Sequence, residues 1–159
     1  MNLDANNIKR IMANYDLFIK MSEHDEEIME FLAYDLFQYL IYLASSDGKI
    51  TSIESKYIND VFGQRFSPKE YSDIALKFGL DSEEFASKVP ISIIKAAGFE
   101  REDIKQGRDP DPVAANLGLL FQYCGEDMLS ADKTESPLKK AAYDSYMAKI
   151  TACINAIKE

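Results

Sequence analysis

The sequence predicts an all-α domain, a compact bundle of about seven helices. Apolar residues recur at three- and four-residue spacing along nearly the whole chain, and no stretch shows the two-residue alternation of a half-buried strand. Cap residues punctuate that pattern at intervals suited to short helices. The 159 residues, 47% of them hydrophobic, suit a single domain over 1–159. A chain of this size buries roughly 70% of its unfolded surface, so it needs no metal or disulfide to fold.

Ile8, Ile11, Met12, Tyr15, Phe18 and Ile19 form the first stripe. Ser22, with Asp25 three residues on, marks a fresh helix start. The next helix is apolar on two faces, with Leu32, Leu36 and Leu40 on one and Ala33, Phe37 and Ile41 on the other. A helix apolar around most of its circumference is surrounded by others, so this is the predicted central helix. Tyr34, Asp35 and Tyr42 lie off its main stripes, where they line a crevice or make an interhelix hydrogen bond.

Asp47-Gly48 ends the central helix, and Thr51-x-x-Glu54 is a capping box that opens the next. Gly63 stops that helix; Ser67-Pro68 starts another, with proline at its first position, and Gly79 closes it. Asp81 to Glu84 open a short helix interrupted at Val89-Pro90. Ile91 to Ala97 then make another turn or two before Gly98, and Phe99 to Pro112 read as the main loop of the chain. Val113, Leu117, Phe121 and Cys124 share a face of the seventh segment. Ser136-Pro137 begins the last, through Tyr146 and Ile150.

An internal echo links the two halves. Leu36-Phe37-Gln38-Tyr39 recurs as Leu120-Phe121-Gln122-Tyr123, and Asp47, Thr51 and Ile53 match Asp132, Ser136 and Leu138. Both halves read as long apolar helix, acidic bend, capped second helix. Two pseudo-repeated helical hairpins packed about an approximate two-fold are therefore expected.

Charge narrows the function. Twenty-seven acids against eighteen bases give a net charge of -9, which argues against nucleic acid as a partner. It suits cations or basic protein groups, or simply solubility. No run is long and apolar enough to span a bilayer, and the first twenty residues do not read as a signal peptide; a soluble cytoplasmic protein is the expectation. Cys124 and Cys153 lie on apolar stripes and are expected as reduced thiols. His24, a lone histidine at the start of the central helix, makes no zinc site.

The one constellation with chemical content runs from Leu43 to Glu54. With Gly48 as the sixth position of a calcium loop, Ser45, Asp47, Thr51 and Glu54 fall where an EF-hand places ligand oxygens, but the first position is Leu43, which supplies none. The same residues also cap the bend: Asp47 can bond loop amides and Glu54 can complete the box begun by Thr51. The stretch Tyr42-Leu43-Ala44-Ser45-Ser46-Asp47-Gly48-Lys49-Ile50-Thr51-Ser52-Ile53-Glu54 resembles the TerB-like tellurite-resistance family. That family carries small residues, Asp-Gly, a spacer and Ile, then Glu, between two helices. The resemblance implies a bacterial cytoplasmic helical domain of a stress or metal-resistance system, with acidic residues as candidates for a divalent cation or a protein contact. The second bend lacks the glycine and has Lys139 where a repeat would place a glutamate.

The expected function is thus binding rather than catalysis, through an acidic surface formed by Asp47, Glu54 and Asp132. If the repeat brings Asp132 close to Asp47, the three carboxylates become candidate ligands for a weakly held divalent cation, the only cofactor expected. The alternative is an acidic inhibitor or immunity-type protein that masks a basic partner without any ion. A carboxylate-metal hydrolase is the third reading and needs at least three converging acids around an open metal position.

Overall fold

Local capping chemistry sets several of the helix ends. The computed structural model describes residues 3, 5–17, 25–133 and 136–159. Among these run α1 (Ala5–Asn14), α2 (Asp25–Ser45), α3 (Ser52–Phe62), α4 (Pro68–Phe78), the single turn α5 (Glu83–Ala86), α6 (Ile91–Lys105), α7 (Val113–Ala131) and α8 (Pro137–Asn155), with a closing 3-10 turn, Ala156–Lys158. No strand occurs among the described residues, so the all-α bundle stands. No described helix is long and apolar enough to cross a membrane. Both capping boxes form as expected, Thr51 with Glu54 and Ser67 with Glu70. Gly63 and Gly79 end α3 and α4 in the left-handed conformation, at φ of 67° and 65°, which costs a glycine nothing and a Cβ-bearing residue strain. Ser22, His24, Phe18 and Ile19 lie outside the described residues.

Helix α2 is the predicted centre. It packs against α1, α3, α4, α6, α7 and α8, and Leu32, Leu36, Leu40 and Leu43 on it are fully buried. Aromatic pairs flank it on two sides. Phe37 meets Phe62 and Tyr71 edge-on, with ring centroids 5.0 and 6.0 Å apart. Tyr39 meets Phe121 and Tyr146 at 5.1 and 5.0 Å, separations at which the edge of one ring attracts the face of the other. Phe37 and Tyr39 thus carry the two halves of the repeat onto one helix. Cys124 is buried, Cys153 is half-buried and both are free thiols.

The expected loop from Phe99 is corrected: α6 runs through Gly98 and Phe99 to Lys105. Gly98 faces solvent, and a helical glycine costs only about 1 kcal/mol relative to alanine, less than the burial of Ile93, Ala96 and Ala97 on the same helix contributes. Buried Glu100 then does work that the local sequence does not announce. Helix α7 follows Pro112, which offers no side-chain cap, and the Glu100 carboxylate instead accepts the Ala114 N–H at 3.0 Å. Helix α6 follows Pro90, equally without a cap, and buried Asp35 of α2 accepts the Ser92 N–H at 2.7 Å. Each carboxylate meets a helix N-terminus, where orphan amides and the helix dipole favour negative charge. Burial raises both carboxyls above their ordinary values, and the amide hydrogen bonds oppose that rise.

Tyr39 of α2 and Gly125 of α7 pack closely together. The Tyr39 hydroxyl is buried and has no hydrogen-bond partner among the described residues. A Cβ at position 125 would overlap that hydroxyl and stand 3.0 Å from a ring carbon of Tyr143. Gly125→Ala is therefore expected to destabilise the fold by about 1–3 kcal/mol through overpacking. Tyr39→Phe, which removes an unsatisfied buried hydroxyl, should be neutral or stabilising and should recover part of the loss in the double variant. Urea melts of the four proteins check this.

Candidate functional site

The two acidic bends meet. In the first, Gly48 takes φ of 84°, and Asp47 turns back so that its Oδ1 accepts the Lys49 N–H at 3.0 Å. Thr51 then opens α3, accepting the Glu54 N–H on its hydroxyl while Glu54 Oε1 accepts the Thr51 N–H, at 3.1 and 2.9 Å. In the second, Ser136 caps α8, its hydroxyl accepting the Lys139 N–H at 3.4 Å. That same hydroxyl donates across the junction to Asp47 Oδ2 at 2.9 Å. The cap of one hairpin is thus bonded to the bend acid of the other.

Lys139 closes the junction. In the repeat alignment it falls on the position of Glu54, and in space the two side chains pair: Lys139 Nζ lies 2.6 Å from Glu54 Oε1. The ammonium also donates to the Lys49 carbonyl at 2.9 Å and stands 3.5 Å from Asp47 Oδ1. Three acceptors match the three donors of an ammonium group. Glu54 is 1% exposed and Lys139 5%, so both charges are out of water and the pairing offsets their desolvation. Asp47 is partly exposed. Burial alone would raise its carboxyl, but the Lys49 amide, the Ser136 hydroxyl and Lys139 together hold it below the ordinary carboxylate value.

Each residue expected in the site is therefore placed. Asp47 and Glu54 come together, bridged by Lys139. Asp132 ends α7 as its C-cap and lines, with Glu54, a cavity of about 600 Å³ between the end of α7 and the start of α8. Among the described residues, no group of three or more His, Cys, Asp or Glu side chains is arranged to hold a metal ion. The loop oxygens counted as calcium-loop positions are engaged in local bonds, Ser45 to the Tyr42 carbonyl and Thr51 to the Glu54 amide. Cys124 is no nucleophile, since burial pushes its thiol up to about 12.

Further side chains complete the cavity. Tyr143 donates its hydroxyl to Glu126 at 2.7 Å, and burial followed by that carboxylate raises the phenol well above its ordinary value. Lys140, paired with Asp144 at 2.6 Å, lies 5.1 Å from the centroid of the Tyr143 ring. Leu129 and Pro137 supply apolar wall. Leu138, 61% exposed, follows Pro137, and its repeat counterpart Ile53 is also exposed. The sequence does not single out Glu126, and Tyr143, a buried residue of the last apolar stripe, carries no local signal of their pairing. Comparison with family models, with curated proteins and with solved structures gives no match.

Lys139→Met strands the Glu54 carboxylate in a dry site and is expected to cost about 3–5 kcal/mol, much of it recovered by adding Glu54→Gln. Asp47→Asn should cost about 1–2 kcal/mol at neutral pH. Because Asp47 has a folded pKa below its unfolded one, its stabilisation is present above the ordinary value of 3.8 and is lost as pH falls through the depressed value. Chemical denaturation across that range should show wild type and Asp47→Asn converging in acid.

Proposed function

We propose that this chain is a non-enzymatic binding domain that engages a protein partner at the cleft beside the joined bends. The observation that carries the reading is the Lys139 ammonium between Asp47 and Glu54: the chain supplies its own cation where a shared divalent ion would bridge those two acids. The cleft next to it is lined by carboxylates at Glu126 and Asp132, by Lys133 and the Asp144-paired Lys140, and by apolar wall at Leu129 and Pro137. A lysine or arginine of a partner suits that lining, its aliphatic stem on the apolar wall and its charged head on the acids. Glu126 has acceptor capacity beyond its bonds from Tyr143 and Gln122, since an ionised carboxylate offers about four lone-pair sites. Exposed Leu138 at the margin extends the contact with apolar area. The resemblance of the Tyr42–Glu54 stretch to the TerB-like family supports a role in bacterial stress or metal resistance, and the net charge of -9 equally suits an inhibitor that masks a basic protein.

A tetralysine peptide and calcium, magnesium and manganese salts separate the protein and cation readings. The peptide is expected to shift backbone amide resonances around residues 126–143 and to lose that effect at high salt and in Glu126→Gln/Asp132→Asn. Each divalent ion at millimolar concentration is expected to leave the melting temperature unchanged. A rise in melting temperature that Asp47→Asn abolishes would overturn the proposal in favour of the cation. Peptide shifts scattered over the whole surface would overturn the cleft as the site.

A further inference from the structure

The cleft beside the bends is built to tell apart the two basic side chains that could enter it. Arginine gains over lysine at a carboxylate in two ways. Its fork of parallel N–H groups takes both oxygens at once, and its flat head stacks on aromatic faces. Lysine brings a compact ammonium with three donors and needs only single acceptors around a point. A site that denies the fork and the ring face while leaving single oxygens open therefore favours lysine.

Glu126 denies the fork. Its Oε1 accepts the Tyr143 hydroxyl at 2.7 Å and the Gln122 side-chain N–H at 3.3 Å, which fills both lone pairs of that oxygen. Its Oε2 makes no hydrogen bond among the described residues. A guanidinium laid across Glu126 would have to break one of the bonds on Oε1, whereas an ammonium takes Oε2 with both in place. Tyr143 denies the ring. It is the one aromatic side chain among the described residues that line the cleft, and it is only 8% exposed. Lys140 Nζ stands 5.1 Å from its centroid and Gly125 lies against its edge, so no open face is left for stacking. What remains suits a point charge. Asp132 caps α7 at the cleft, and the helix end adds the negative pole of its dipole. Of the lysines lining the cleft, Lys139 is paired with Glu54 and Lys140 with Asp144. Those pairs set aside, two acids, Glu126 and Asp132, stand against one base, Lys133, and a single added cation is still favoured. We propose, on the reading of this cleft as the site of a basic partner, that it selects a lysine side chain over an arginine, with Tyr143 and Gln122 as the positioning residues that set the choice through Oε1 of Glu126.

Titration of the full chain with tetralysine and with tetraarginine, followed by the backbone amide resonances of residues 126–143, tests it. Tetralysine is expected to bind about tenfold more tightly than tetraarginine. Tyr143→Phe and Gln122→Leu each return a lone pair to Oε1, and each should bring the two affinities together by strengthening tetraarginine. Should the tyrosine change unfold the chain, Gln122→Leu at its half-buried position still gives the answer. Variants that weaken both peptides alike, as a merely structural role would, or that leave the ratio where it was, overturn the positioning roles. Tetraarginine bound at the cleft as tightly as tetralysine overturns the selection while keeping the cleft as the partner site. If neither peptide acts at the cleft, the site falls and the selection with it.

Discussion

Where the two hairpins touch, the Glu54 carboxylate and the Lys139 ammonium have both left water, and the rest of the bundle is arranged around making that tolerable. Either charge alone would cost several kcal/mol to bury. Together they sit 2.6 Å apart, and the remaining valences are met by the Thr51 amide on one side and the Lys49 carbonyl on the other. A strict duplication would have opposed two glutamates at this junction, a like-charge contact no fold keeps in a dry place without protonation or an ion. A lysine at position 139 instead makes the contact an attractive ion pair across the two bends. The same lysine decides the chemistry, because an ammonium so held occupies the ground between the two acids.

The junction matters because α2 must serve two neighbourhoods at once. Its Phe37 side belongs to α3 and α4, its Tyr39 side to α7 and α8. Helices that meet on a shared central element need their far ends fixed to keep register, and the bends do this at the one place where both hairpins reverse direction. The cleft beside them is a by-product of that geometry, walled by the last turn of α7 and the first of α8.

How much of this was legible in the sequence depends on the range of the interaction. The caps at Thr51 and Ser67 and the glycine stops at Gly63 and Gly79 could be read because donor, acceptor and backbone constraint lie within a few residues. The centrality of α2 could be read from its apolar girth. The end of α6 could not: Gly98 and the charged residues after it carry a breaker's signature, and the tertiary burial of Ile93, Ala96 and Ala97 overrode it. The carboxylate cap of α6 was half legible: Asp35, off the main stripes, reads as a crevice or interhelix hydrogen-bonding residue and makes that bond, but its partner Ser92 lies more than fifty residues away and nothing in either's neighbourhood points to the other. The approach of the bends was legible from the repeat. The role of Lys139 was half legible: the alignment placed it opposite Glu54 but showed only a broken pattern, because alignment compares positions and does not report that they touch.

The borrowed caps also carry a consequence for how the molecule comes together. Pro90 and Pro112 leave the starts of α6 and α7 without a side-chain cap of their own, so those starts are completed only when α2 presents Asp35 to the one and α6 presents Glu100 to the other. In each case the donor of the missing piece precedes its recipient in the chain. Both capping carboxylates therefore leave the ribosome before the helix starts they complete.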